Sequence, residues 1–199
     1  MINANTLNTL IQILKVNDIK CGIGGSYLLQ VYKLYEDPED VDFWVAPDDI
    51  DKVREIFCKY EEIEDKIQLP PQYHFKMKYE DIVVDFVACF IIKPNQNEFI
   101  YNILPESIDY IETDDGTEIL CTSLEDWYIV YKLLNREEKA DLIKQYIYKN
   151  DVEATNTKLN SYIKDSQNKL PQRVIKSVKE FMWDNIQIDL EDIKKTPWA

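Results

Sequence analysis

The stretch "GIGGSYLLQVYKLYEDPEDVDFWV", residues 22–45, decides how this chain is read. Only four glycines occur in 199 residues, and three of them stand at 22, 24 and 25. "IKCGIG" (19–24) reads as a short buried strand, and from Ser26 onward Leu28, Val31, Tyr32 and Tyr35 repeat at helical spacing. A strand that enters a helix through Gly24-Gly25 brings bare backbone N–H groups to the helix N-terminus. There the glycines permit close approach and the helix dipole favours negative charge. Ser26 adds a hydroxyl able to cap the helix or to touch anionic oxygen. A tight strand-to-helix turn is the alternative account of the same glycines.

The same stretch ends in "VDFWVA" (41–46), which is strand-like. Asp40 and Asp42 are one residue apart, so on an extended chain both carboxylates point to one side, while Val41 and Phe43 point to the other. Two acids side by side repel unless a cation sits between them. Magnesium suits the place, because it prefers carboxylate oxygens together with substrate phosphates. A solvated strand edge is the alternative, and "EDPED" (36–40) also suits a surface turn. A third acid follows in "IVVDFVACFII" (82–92), a run too apolar for an exposed edge. An unpaired ionised Asp85 is costly to bury there, so it must face a polar site, a metal or a lysine.

The whole composition narrows the chemistry. Apolar residues make up 45% and charged residues 30%, as in ordinary soluble domains. The net charge is −14, from 37 acids and 23 bases. Such a surface repels phosphodiester backbones, which argues against a broad duplex DNA face and favours a cationic small molecule or a protein partner, with RNA less favoured. His74 is the only histidine, so histidine triads and His/Cys metal sites have almost nothing to work with. Cys21, Cys58, Cys89 and Cys121 are widely spaced and read as core thiols. With no run of 18 apolar residues and no basic residue in the first ten, the expectation is a cytoplasmic protein without membrane association.

Elsewhere the periodicity predicts a helix over 6–15 and one over 49–62 capped by Asp48, with a chain break at Pro70-Pro71. Two strands follow, "YHFKMKYE" and the one carrying Asp85, joined by a turn near Glu80 and Asp81. Residues 94–118 give only weak strand signals and end in "DDGT"; "EILCT" is a last short strand. Ser123 with Asp126 makes a capping-box pattern for a helix with Leu124, Trp127, Tyr128 and Tyr131 on one face. Helices are expected over 137–149, 151–166 and 171–185. The fold class expected is α+β, a small mixed sheet flanked by helices over 1–122, with a C-terminal helical region over 123–199.

Gly24-Gly25-Ser26, Asp40-Val41-Asp42 and the later strand acid Asp85 together resemble the signature of the polymerase-beta-type nucleotidyltransferase superfamily. "SLEDWYIVYKLLNREEKADLIKQY" (123–146) resembles the helices after the core in its small bacterial branch, which includes abortive-infection toxins and antibiotic-modifying enzymes. The resemblance spans residues 19–146. It implies that Gly24, Gly25 and Ser26 bind the triphosphate of a nucleoside triphosphate. Asp40 and Asp42 would bind two magnesium ions, with Asp85 as third ligand or general base. On one continuous helix Lys132, Arg136 and Lys139 would line up on one face and meet the triphosphate, Asp141 orienting one of them; a surface salt-bridged with Glu137 and Glu138 is the alternative. Glu36 and Pro38 depart from the branch, whose members place an arginine and a serine or threonine there.

The implied activity is transfer of a nucleoside monophosphate to an acceptor hydroxyl on a small cationic molecule, a protein or an RNA. The Glu36 and Pro38 departure motivates an alternative, a catalytically inactive binding or regulatory protein on the same scaffold. A third reading is an interaction module docking through Phe181, Trp183 and Trp198.

Overall fold

A computed structural model describes residues 2–63, 73–93, 97–113, 116, 118–150, 153–165 and 168–195, with only the backbone at 153 and 184–195. The Pro70-Pro71 break, most of "DDGT" and Trp198 lie outside these residues. The chain divides into two units, Met1–Ser123 and Leu124–Ala199.

The first unit is built on a mixed sheet of six strands. These are β1 (Cys21–Gly24), β2 (Val41–Val45), β3 (His74–Tyr79), β4 (Ile82–Val87), β7 (Asp109–Glu112) and β8 (Glu118–Cys121), in the order β3-β4-β2-β1-β8-β7. β2 runs parallel to β4 and β1 parallel to β8; the other neighbours are antiparallel. A two-stranded ribbon of β5 (Phe90–Ile92) and β6 (Phe99–Tyr101) stands apart from the main sheet. The α+β class expected from the sequence is the class observed.

One face of the sheet formed by β1 to β4 is apolar along its length, while the other mixes the acids with buried Trp44 and Val87. In register across it lie Phe75, Phe86, Phe43 and Ile23. Phe86 is fully buried and stacks on Phe43 at 5.6 Å, on Phe75 at 6.2 Å and on Phe57 at 5.7 Å. Phe57 comes from α3 (Ile50–Phe57), whose Val53 is also buried. Stacking of this kind adds to the area term that drives burial. α1 (Ala4–Val16) buries Leu7, Leu10 and Leu14, and Asn3 caps it by accepting from the Asn5 and Thr6 amides.

Several boundaries differ from the sequence expectation. α3 spans eight residues and follows a 3-10 turn over Pro47–Asp49, without a side-chain cap from Asp48. The carboxylate of Asp49 instead accepts the Lys20 amide at 3.0 Å, which anchors the chain just before β1. α2 (Gly25–Val31) stops before Tyr32 and Tyr35, where Lys33 turns the chain at φ 60°. Cys89 and Cys121 are buried, and desolvation pushes the Cys121 thiol up to about 12. Cys58, directly after α3, is exposed and departs from the core-thiol expectation.

The second unit is helical: α4 (Leu124–Leu133), α5 (Glu137–Asn150), α6 (Glu153–Lys164) and α7 (Gln172–Lys195). α4 begins directly after Ser123, where the capping-box pattern places it. Trp127, Tyr128 and Tyr131 are buried as expected, but so are Ile129, Val130, Glu125 and Asp126, so the helix is enclosed well beyond one stripe. The buried Glu125 is satisfied within the unit by the Thr155 hydroxyl at 2.9 Å and has Lys158 at 3.8 Å. Among the described residues no helix is long and apolar enough to cross a membrane.

Candidate active site

The face of the sheet opposite the phenylalanines carries the acids. One row of paired positions runs across four strands: Gly24 on β1, Asp42 on β2, Asp85 on β4 and Lys76 on β3. Register alone therefore brings Gly24, Asp42 and Asp85 side by side, as the sequence motif requires. Since paired residues on neighbouring strands share a face, Asp42, Asp85 and Lys76 emerge on the same side. Asp40 sits immediately before β2, two residues from Asp42, and is half-buried.

Gly25 is the first residue of α2 and has φ +60°, a left-handed conformation that costs an L-residue roughly 1–2 kcal/mol. Space imposes a second demand. A Cβ placed on Gly25 would fall inside the Asp42 carboxylate. Glycine is required here because the acid of the next strand lies directly against the helix start. Gly24 holds the N-cap position in extended backbone, and the helix takes no side-chain cap. Ser26 is therefore not the cap. It lies in the first helical turn and is buried, 6% exposed. The first amides of any helix lack intrahelical partners, and here they follow two residues without side chains.

Asp85 is 7% exposed, and its carboxylate is held on both oxygens. Oδ1 meets Nε2 of the buried His74 at 2.6 Å, and Oδ2 meets the Lys76 ammonium at 3.4 Å. The same ammonium donates to Asp40 Oδ2 at 2.9 Å. A buried carboxylate needs such partners, and two hydrogen-bonded cationic or polar groups offset its desolvation. The carbonyl of His74 is in turn bonded by Arg54 of α3, whose guanidinium lies 5.0 Å from the Phe75 ring centre. The acid row is thus tied to the core packing beneath it.

Sequence reading missed His74 and Lys76. The signal was present: "HFKMKY" alternates, and it places both polar residues on the side opposite Phe75 and Met77. What it lacked was the register that sets Lys76 against Asp85.

Magnesium needs oxygen donors, and Asp40, Asp42 and Asp85 offer carboxylates on one face. The Lys76 ammonium between Asp40 and Asp85 marks a place where positive charge is already stabilised, so the donor set fits a divalent cation. Among the described residues no three acidic, histidine or cysteine side chains are gathered into a cage as they stand.

The cations expected from the later segment do not share one helix. Lys132 lies in the last turn of α4, Arg136 in the connection, and Lys139 in α5. Asn135 at φ 58° breaks the helix between them. The local sequence "LLNRE" permits this, since asparagine tolerates the left-handed conformation that ends a helix. Lys132 pairs with Glu137, Arg136 is exposed, and Lys139 lies 5.7 Å from the Tyr131 ring centre. Glu36 is exposed and Pro38 buried; the carbonyl of Glu36 accepts from the Gln30 amide at 2.9 Å.

No protein-family model and no curated protein matches the sequence. Solved structures do match, and they define a class: the chain has the fold of nucleotidyltransferases. The antibiotic-resistance factor ANT(2'')-Ia aligns with a TM-score of 0.54 at 14% identity over 79% of this chain and 90% of its own. The lincosamide antibiotic adenylyltransferase LnuA, lincomycin-bound, aligns at 0.50 and 13% identity over 72% and 97%. A Thermotoga maritima protein assigned as a nucleotidyltransferase aligns at 0.52 and 20% identity over 75% and 96%. The resemblance read from the motif thus holds at the level of the fold.

Proposed function

We propose that the chain is a nucleotidyltransferase that moves a nucleoside monophosphate from a nucleoside triphosphate to the hydroxyl of a small-molecule acceptor. The observation that carries this reading is the in-register row of Gly24, Asp42 and Asp85, with Gly25 accommodating the Asp42 carboxylate. The fold likeness to antibiotic adenylyltransferases supports it.

In this reading Gly24, Gly25 and Ser26 hold the triphosphate at the start of α2, where the glycines permit close approach and the helix dipole favours anionic oxygen. Asp40, Asp42 and Asp85 would hold magnesium, which when bound clamps and neutralises phosphate oxygens and activates the reacting ones. The acceptor oxygen forms a new bond to the α-phosphorus as the bond to pyrophosphate breaks, and the hydroxyl proton leaves to a carboxylate. Asp85 would take that proton, or would ligate as the third carboxylate. His74 on Oδ1 leaves Oδ2 as the oxygen to be freed, since its partner Lys76 is shared with Asp40. Much of the rate advantage in such sites comes from positioning.

Calorimetric titration with ATP, GTP, CTP and UTP, with and without magnesium, tests it. Magnesium-dependent binding of at least one nucleotide is expected, lost in Asp40→Asn with Asp42→Asn. A folded protein that binds none of the four favours the second reading, a non-catalytic binding protein on the same scaffold, for which exposed Glu36 near the site acids in sequence speaks.

A further inference from the structure

We infer that Lys76 is a built-in counter-ion of the acid site and that a divalent cation must displace its ammonium from Asp40 and Asp85 to bind. The inference rests on the reading above, that these acids are a metal site. The side chain of Lys76 is largely withdrawn from water, 16% exposed, and its ammonium lies 2.9 Å from Asp40 and 3.4 Å from Asp85. Register puts it there: Lys76 pairs with Asp85 on the neighbouring strand, so the lysine is fixed to the row as firmly as the acids are.

Two features make the ammonium a competitor. It holds oxygens on two of the three carboxylates, Asp40 and Asp85, so those oxygens serve the lysine or the metal. And two positive charges a few ångströms apart, away from bulk water, repel strongly. Displacement is feasible because lysine ends in a flexible four-carbon stem and a point charge. His74 need not move, since it bonds the other oxygen of Asp85. Without metal the acids keep a cation and the fold is not strained by their repulsion. With metal the Asp85 oxygen is released.

The test is binding of Mn2+ alone to the full chain, read as loss of the free-ion electron paramagnetic resonance signal. The variants are Lys76→Gln, which keeps a hydrogen-bond donor without charge, and Lys76→Arg, which keeps the charge. Lys76→Gln is expected to bind Mn2+ about tenfold or more tightly than the natural chain, and Lys76→Arg no more tightly. Lys76→Gln is also expected to melt lower without metal and to gain more from saturating Mn2+ than the natural chain does; this thermal shift decides the matter if the metal-free variant is only partly folded. Equal or weaker binding by Lys76→Gln overturns the competition while leaving the metal site standing. No Mn2+ binding by either protein overturns the metal site and the inference with it. Asp42→Asn in the Lys76→Gln background is expected to abolish the binding.

Discussion

At the scale of single residues, Gly25 couples the two halves of the site. Its φ of +60° and its contact with the Asp42 carboxylate are separate demands, and alanine fails both. Gly25→Ala is expected to lower the free energy of unfolding by at least about 1–2 kcal/mol from the backbone alone. Moving Asp42 aside adds to this, and Mn2+ binding is lost. Urea unfolding of Gly25→Ala beside Gly24→Ala checks the claim, because Gly24 sits in extended backbone that alanine adopts. Equal losses in the two variants would remove the special role of Gly25. The glycine pair and the acids were legible in the sequence because their spacing survives any choice of neighbouring strands. Lys76 and His74 were not legible as site residues. Their meaning depends on β3 pairing with β4 in one register, and a slip of one residue would send both to the apolar face.

At the scale of elements, alternation made the strands readable and end effects blurred the helices. β2 appears within a residue of where its pattern places it. The apolar run read as one strand to Ile92 instead splits into β4 and β5, which lie in different sheets, because a continuous apolar run does not mark where a strand leaves its sheet. α2 and α3 came out shorter than their apolar spacing suggested. A repeat that continues past a helix end looks the same as one that does not, until a left-handed residue such as Lys33 intervenes. The continuous helix on which Lys132, Arg136 and Lys139 would line up is broken for the same reason at Asn135. What closes α4 is a residue distant in sequence: Arg173 of α7 donates to the carbonyls of Lys132 at 2.6 Å and Leu133 at 3.0 Å. A helix leaves its last carbonyls without intrahelical donors, and a guanidinium fork satisfies two at once. Arg173→Ala is therefore expected to destabilise the protein by about 1 kcal/mol, since the group is exposed and water replaces part of the bond. Thermal unfolding monitored by circular dichroism reads this. An unchanged midpoint would mean that water caps α4 as well as Arg173 does.

At the scale of the whole molecule, the proposed transfer would have its acceptor selected in part by charge. The chain carries −14 overall, and the acid row concentrates negative charge on one face of the sheet. A field of that sign slows the approach of a nucleoside triphosphate and speeds that of a polycation. On the proposed reading, donor binding would rely on local groups, the start of α2 and any bound divalent ion, while a cationic acceptor would gain from the field at long range. Salt separates these contributions, because the screening length falls from roughly 30 Å at 0.01 M to about 8 Å at 0.15 M. For a polyamino acceptor, kcat/KM is expected to fall as salt rises over this range, and KM for the nucleotide to stay level or fall. Steady-state kinetics at several ionic strengths, with a neutral hydroxyl compound as the second acceptor, provides the contrast. A decline confined to the polyamino compound assigns the net charge a role in acceptor choice. The same slope for both acceptors would place the selectivity in the shape of the site and leave the surface charge to solubility alone.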